Sequence, residues 1–267
     1  LGAKPVYVDV DPVTCNINPA LIEDKITKKT KAIIPVSLYG QAADFDEINI
    51  IAAKYNLPVI EDAAQSFGAE YKQKKSCNLS TIACTSFFPT KPMGCYGDGG
   101  AIFTSSDELS KRLRQIARHG QERRYYHTVV GINSRLDTIQ AAILLCKLEI
   151  LDSEIDRRNE LASFYNQLLK SSKSVNAPVI HDKNKSAWAQ YTIRCDNRDE
   201  IEKKFKEYDI PTAVHYPMPL NEQPAVSSMQ LDLPVSKSLS ETVLSIPMHA
   251  YMSNEDRKVI KSILKLH

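Results

Sequence analysis

Short apolar segments alternate with amphipathic ones along the first 120 residues of the chain. The apolar segments are rich in Val and Ile and have the length and composition of β-strands. They lie at residues 5–10, 32–36, 57–62, 81–88 and 99–105. Amphipathic stretches lie between several of them, and this alternation is typical of a mainly parallel sheet covered by helices.

Each helix predicted between these strands begins at a capping signal. A side-chain acceptor stands before the first turn, followed by proline at the first helical position or by an acid three residues later. These signals are Asn18-Pro19, Asp44 with Glu47, and Ser105 with Glu108. The second helix places Phe45, Ile48, Ala52 and Tyr55 on one face.

The second half of the chain has a different pattern. Residues 136–169 have helical periodicity throughout, which predicts one long connecting helix. After a polar stretch at 171–186, a strand at 187–195, a helix at 199–208, an apolar run at 243–248 and a last helix beginning at Ser253 predict a small α/β domain. We therefore expect a large domain at residues 1–150 and a connecting helix with a small C-terminal domain at 151–267.

The chain begins in strand-like sequence, with no preceding cap or loop. We therefore expect the N-terminal part of the large domain to be missing from it.

Composition narrows the function classes. Lys and Arg (34) nearly balance Asp and Glu (32), so the net charge of +2 supplies no basic field for nucleic acid or an anionic membrane. Six scattered cysteines lack the spacing of a zinc site, and we predict no metal. No apolar run approaches the roughly 20 residues that span a bilayer. We expect a cytoplasmic protein that binds a small molecule.

Polar residues follow two of the predicted strands. Asp62 and Gln65 follow the Val59-Ile60 pair, and Ser86 and Lys91 follow the strand that starts at residue 81. Ligands of parallel α/β sheets bind beyond the carboxyl ends of the strands. Each residue alone has a structural explanation: Asp62 as a cap, Ser86 in a turn and Lys91 as a solvated loop lysine. Their conjunction is what indicates a shared pocket.

Pyridoxal phosphate (PLP) requires three kinds of protein group for its binding and chemistry. It needs a lysine for a Schiff base, an anion against the pyridinium nitrogen, and donors for the phosphate. Lys91, Asp62 and Ser86 offer these three. The glycines at 97, 99 and 100 lack the spacing of a nucleotide P-loop or a dinucleotide fingerprint. PLP is therefore the predicted cofactor, and a nicotinamide dehydrogenase is disfavoured.

The order of the motifs closely resembles that of the DegT-type sugar aminotransferases, which have the aspartate-aminotransferase fold (fold type I). The resemblance spans the chain and rests on EDAAQSFGA, SFFPTKPMGCYGDGGAIFT, ARHG and GINSRLDTIQAAIL. It implies that Lys91 is the Schiff-base lysine, Asp62 the partner of the ring nitrogen, and Gln65 the residue beside the ring. Ser86 matches the phosphate-binding serine. A family dehydratase is disfavoured, because it would carry His in place of Lys91.

The resemblance also implies a homodimer with shared active sites and a set of substrate contacts. Asn133 matches the asparagine that reaches the phosphate of the neighbouring subunit, and Arg135 beside it is a candidate for a substrate carboxylate. His215 and Tyr216 match a His-Tyr pair that helps to bind substrate. Tyr39 follows a strand and could face the sugar, but it could equally be a core residue.

By this resemblance, the expected reaction moves the amino group of L-glutamate to a 3-keto nucleotide sugar of the UDP-3-keto-N-acetylglucosaminuronate type. The product would enter surface polysaccharide such as lipopolysaccharide O-antigen. The chain lacks the family's N-terminal helical segment and its Gly-Thr turn, which also holds the phosphate. The alternative is accordingly a non-catalytic paralogue that binds a partner subunit without turnover.

Overall fold

The computed structural model describes residues 2–226 and 231–264, and these residues form an α/β structure. The helices are α1 Phe45–Lys54, α2 Asp107–Ala117, α3 Thr138–Leu148, α4 Leu151–Leu169, α5 Arg198–Glu207, α6 Pro234–Thr242 and α7 Asn254–Leu264. The strands are β1 Ile60–Asp62, β2 Glu70–Tyr71, β3 Lys74–Lys75, β4 Ile82–Ser86, β5 Gly100–Phe103, β6 Gln121–Arg123, β7 Tyr126–His127, β8 Val175–Asn176, β9 Asn184–Lys185, β10 Tyr191–Cys195 and β11 Val243–Ile246.

The sheet that carries the predicted site is mixed. β1 and β4 are parallel, with Asp62 opposite Cys84. Residues 33 and 36 extend the sheet through parallel bridges to residues 59 and 62. β5 instead runs antiparallel to β4, with Ser86 opposite Gly100. A parallel partner would need a long crossover connection, and the chain between β4 and β5 holds only a loop.

Two predictions for the first 30 residues are wrong. Residues 5–10 do not form a strand, because Val10 alone is paired, in an isolated bridge with Ile17. The helix predicted after Asn18 is two short 3₁₀ turns, Pro19–Leu21 and Glu23–Lys25. The capping signal itself is confirmed, since the Asn18 side chain accepts a hydrogen bond from the Ala20 N–H at 3.0 Å.

The other helix starts gave mixed outcomes. Asp44 makes no capping hydrogen bond, because its carboxylate accepts the hydroxyl of Tyr71 instead. α2 is capped one residue later than predicted, by Ser106, whose Oγ accepts the Leu109 N–H at 3.3 Å. The Ser253 signal is confirmed, since its Oγ accepts the Asp256 N–H at 3.0 Å.

The predicted long connecting helix is interrupted. α3 ends at Leu148 and α4 begins at Leu151. Because apolar residues continue on both sides of the break, the periodicity did not reveal it. Leu144 of α3 and Leu151 and Ile155 of α4 all pack against the segment that follows β4.

Two larger apolar clusters lie on either side of this region. One surrounds α1 and includes Phe45, Ile48 and Val59. The other joins α4, α5 and α7 to β10 and β11, and its fully buried members include Tyr165 and Phe205. The domain boundary near residue 150 stays a prediction. Within residues 2–226 and 231–264, no helix is long and apolar enough to cross a lipid bilayer.

Asp9 ties the start of the described chain to the start of α6. Its buried carboxylate accepts the N–H groups of Val235 and Ser236, both at 2.9 Å, and the Ser236 hydroxyl at 2.6 Å. Burial by itself would raise the pKa of Asp9, but the hydrogen bonds from Ser236, Val235 and Val10 outweigh it and leave the pKa below its usual value. The carboxylate therefore acts as a helix cap supplied from more than 200 residues away.

Replacing Asp9 with Ala should lower the free energy of unfolding by about 1–2 kcal/mol at pH 7, because the first N–H groups of α6 lose their acceptor. Urea unfolding measures this, with Asp24→Ala on an exposed aspartate as the control. The pKa of Asp9 is lower in the folded protein than in the unfolded chain. The stabilisation by Asp9 is therefore complete above the unfolded pKa of about 3.9 and is lost as the pH falls through the folded pKa. The difference in the free energy of unfolding between wild type and Asp9→Ala should therefore become smaller below about pH 4. If the difference in the free energy of unfolding stays constant as the pH falls below about 4, this explanation is contradicted.

Candidate active site

The predicted acid and hydroxyl lie at the same edge of the sheet. β1 ends at Asp62 and β4 ends at Ser86, and the two strands are parallel neighbours. Both side chains also close local turns: Asp62 Oδ1 accepts the Ala64 N–H at 3.0 Å, and Ser86 Oγ accepts the Phe88 N–H at 3.2 Å. Both side chains are half-buried, and each keeps further oxygen lone pairs that can accept hydrogen bonds from a ligand.

The Lys91 loop, residues 88–94, begins directly beyond Ser86. The Lys91 N–H donates to Phe88 O at 2.9 Å, and the Lys147 ammonium donates to Gly94 O at 2.6 Å. Met93 is buried in the cluster that contains Leu144 and Ile155. A Cβ at Gly94 would stand 2.5 Å from Pro89 O, so the loop closes on itself only because this residue is glycine. Lys91 is therefore half-buried on a braced loop, not on a free one.

Gln65 joins the two halves of the chain. Its Oε1 accepts the Tyr39 N–H at 2.6 Å, and its Nε2 donates to the Tyr216 hydroxyl at 3.0 Å. The Tyr39 hydroxyl donates in turn to the His215 carbonyl. Four residues predicted separately from the sequence are thus linked by three hydrogen bonds. Tyr39 is half-buried and its hydroxyl is hydrogen-bonded, so its role as a sugar contact stays a prediction.

Burial and charge set the protonation of two side chains of this cluster, His215 and Tyr39. Burial lowers the pKa of His215, and the positive charge of Lys91 lowers it further. Burial raises the pKa of the Tyr39 hydroxyl. Both side chains are therefore neutral at pH 7, as donors or acceptors of hydrogen bonds to a ligand.

Two other predicted residues lie apart from this cluster. Asn133 and Arg135 are exposed in the segment between β7 and α3. Asn133 pairs through its backbone with Arg118. Neither makes a hydrogen bond to the cluster around Gln65 within residues 2–226 and 231–264.

The sequence analysis missed two polar residues that support the site. Glu61 is fully buried beside Asp62, and its carboxylate accepts Ser37 Oγ at 3.0 Å, Ser76 Oγ at 2.7 Å and Cys77 N at 2.8 Å. Burial raises the pKa of Glu61 despite these bonds. The other is Ser245, which contacts His215. A polar residue inside an apolar run was the available signal in both cases.

A family model for the DegT/DnrJ/EryC1/StrS aminotransferases matches residues 1–264. The chain belongs to this family. The resemblance drawn from the motifs is confirmed, and so is the fold class, because solved aminotransferase structures of the family superpose on nearly the whole chain.

A curated relative and two solved structures illustrate the similarity. UDP-2-acetamido-2-deoxy-3-oxo-D-glucuronate aminotransferase of Pseudomonas aeruginosa is 61% identical over 264 residues, which cover 99% of this chain and 73% of that protein. A DegT DnrJ EryC1 StrS aminotransferase from Brucella abortus has a TM-score of 0.93 at 42% identity, over 99% of this chain and 73% of that one. NtdA from Bacillus subtilis, solved with bound cofactor PMP, has a TM-score of 0.89 at 31% identity, over 97% of this chain and 61% of that one.

The enzymes of this family use PLP, and the side chains at this edge of the sheet fit that group. A carboxylate, a hydroxyl and an amine follow two adjacent parallel strands, as Asp62, Ser86 and Lys91. These are the three chemical types that the ring nitrogen, the phosphate and the aldehyde of PLP require.

Replacing Gln65 with Leu should lower the free energy of unfolding by about 1–3 kcal/mol, because the Tyr39 N–H loses its acceptor in a buried position. Urea unfolding without added cofactor measures this effect. Gln167→Leu, on an exposed glutamine of α4, is the matched control and should be nearly neutral. Equal stability of Gln65→Leu and wild type would mean that this bridge contributes nothing to holding the halves together.

Proposed function

We propose that the chain is a PLP-dependent aminotransferase that moves the amino group of L-glutamate to the keto carbon of a UDP-3-keto-sugar of the 2-acetamido-2-deoxy-3-oxo-glucuronate type. The observation that carries this proposal is the meeting of Asp62, Ser86 and the Lys91 loop at one edge of the sheet. The substrate class is supported by the 61% identity to the Pseudomonas aeruginosa enzyme. The product would enter surface polysaccharide such as O-antigen.

Bound PLP would supply an electron sink that stabilises the carbanion left when a proton is removed beside the amino group. Lys91 Nζ would bind the cofactor and, when released by substrate, carry that proton. The Asp62 carboxylate would keep the ring nitrogen protonated, and the Ser86 hydroxyl would donate to the phosphate. Gln65 would lie beside the ring. The hydrogen bonds that hold residues 88–94 in place fit this role, because proton transfer depends on a fixed position of the amine.

We assign the sugar to the side of the site that the small domain supplies. His215, Tyr216 and Tyr39 present hydrogen-bonding groups around Gln65, which suit the hydroxyl and keto oxygens of a sugar. Arg135 is assigned to the uronate carboxylate, since a guanidinium binds a carboxylate through two parallel hydrogen bonds. It is exposed, and no ion pair of the described residues includes it.

We further propose a homodimer in which Asn133 and Arg135 serve the neighbouring active site. The surface around them is strongly apolar: Val130 is 96% exposed, Ile139 74% and Leu145 67%. A face of this kind favours burial against another chain. The cysteines of the described residues form no disulfide. Free cysteines agree with the cytoplasm as the proposed compartment of the protein.

Absorbance spectroscopy tests the reaction directly. Addition of PLP to the protein should produce an absorbance band that depends on Lys91, and L-glutamate should then convert it. Lys91→Ala should lose both changes, because the proposed bond to the cofactor is made by the Lys91 amine. Lys74→Ala, which alters an exposed lysine of β3, should retain both. Folded protein that gives no band would favour the non-catalytic alternative.

Replacing Arg135 with Ala should raise KM for a 3-keto uronate sugar about tenfold to hundredfold, because hydrogen bonds to a charged group contribute roughly 1.5–3 kcal/mol. The corresponding neutral 3-keto sugar should be nearly unaffected and is the internal control. Arg135→Lys, which keeps the charge but not the paired geometry, should fall between the two. An equal loss for both sugars would remove the carboxylate assignment.

A further inference from the structure

Ser245 holds the segment that carries His215 through both its backbone and its side chain. The Ser245 N–H donates to Ala213 O at 2.7 Å, and the Ala213 N–H donates to Ser245 O at 3.1 Å. Two residues later, His215 Nδ1 lies 2.9 Å from Ser245 Oγ. The position of the segment and the orientation of the ring are therefore set by one residue.

Thr192 supports Ser245 from the neighbouring strand. The two residues are directly opposite in the antiparallel pairing of β10 with β11, and their hydroxyl oxygens are 2.8 Å apart. Both residues are buried, and their neighbours Ile193 and Leu244 are fully buried apolar residues. A hydroxyl pair in such a sheet costs free energy unless every group is bonded, and the His215 ring completes the row Thr192–Ser245–His215.

The far end of this row is hydrogen-bonded to Tyr39 of the candidate active site. The His215 carbonyl accepts the Tyr39 hydroxyl, and the Lys91 charge acts on the ring. Since Nδ1 is occupied by Ser245, Nε2 is the ring atom left for a ligand. Within the described parts of the chain, the ring makes no other hydrogen bond.

We infer that Ser245, supported by Thr192, is a positioning residue for His215: its hydroxyl fixes the ring through Nδ1 and leaves Nε2 to hydrogen-bond an oxygen of the sugar substrate. The inference rests on the proposed function for the identity of that substrate. It adds two residues of the small-domain sheet to the determinants of sugar binding. Ser245 acts through His215 and does not itself touch the sugar.

The test combines nitrogen NMR of the histidine rings with half-reaction kinetics of the PLP-bound protein. The His215 signals, assigned with His215→Gln, should report a single neutral tautomer in the wild type and an altered tautomer balance in Ser245→Ala. KM for the keto sugar should rise about fivefold to tenfold in Ser245→Ala. KM for L-glutamate should rise less than KM for the keto sugar, because the proposed contact of His215 is to an oxygen of the sugar.

The hydroxyl of Thr192 gives a second, milder variant. Thr192→Val keeps the shape of the side chain and should change the same two readouts in the same direction, while Thr192→Ser should restore them. Ser240→Ala is the matched control, because Ser240 is a buried serine of α6 whose hydroxyl bonds to Lys237 O, away from His215.

Unchanged His215 signals in both Ser245→Ala and Thr192→Val would overturn the inference, as would a rise in sugar KM for Ser240→Ala equal to that for Ser245→Ala. The NMR readout separates this inference from the proposed function. A changed tautomer balance in a protein that gives no glutamate-dependent absorbance change would support the positioning role and contradict the aminotransferase reaction.

Discussion

The parallel pairing of β1 with β4 is the constraint on which the candidate site depends. It places Asp62 opposite Cys84, so the carboxyl ends of both strands meet at one edge. The residues that follow them, the Gln65 turn and the Lys91 loop, must then share that edge. The strand-like segment at residues 33–36 joins the same sheet, with the Asp62 N–H donating to Pro35 O and the Ser37 N–H to Asp62 O, both at 2.9 Å. Tyr39 enters the site because that segment is in register with β1.

Hydrogen bonds join residues of the second half of the chain to the sheet edge. Gln65 bridges Tyr39 and Tyr216, and the Tyr39 hydroxyl reaches the His215 carbonyl. Such bonds are directional, so they fix how the two halves meet more strictly than apolar contact does. Asp9 adds a second polar tie at the start of α6. These hydrogen bonds hold His215 and Tyr216 beside Gln65, whereas Asp62 and Ser86 are positioned within the sheet itself.

Two sets of buried polar groups near the candidate site are hydrogen-bonded by their neighbours. The Glu61 carboxyl is fully buried but accepts three hydrogen bonds from Ser37, Ser76 and Cys77. The hydroxyls of Thr192 and Ser245 pair with each other and with His215. Such groups stabilise little in net terms but are costly to leave unpaired, so they select the one arrangement that satisfies them all.

The sequence by itself determined the kinds of elements, the order of the motifs and the chemistry of the cofactor side. Strand ends followed by an acid, a hydroxyl and a lysine are local features, and they identified the family. The tertiary structure alone decided the direction of β5, the break between α3 and α4, and the partners of Gln65, Glu61 and His215. Those outcomes depend on contacts between residues as far apart as 151 positions for Gln65 with Tyr216 and 176 for Tyr39 with His215. Local periodicity carries no information about such distant contacts, because they form only once the chain has folded back on itself.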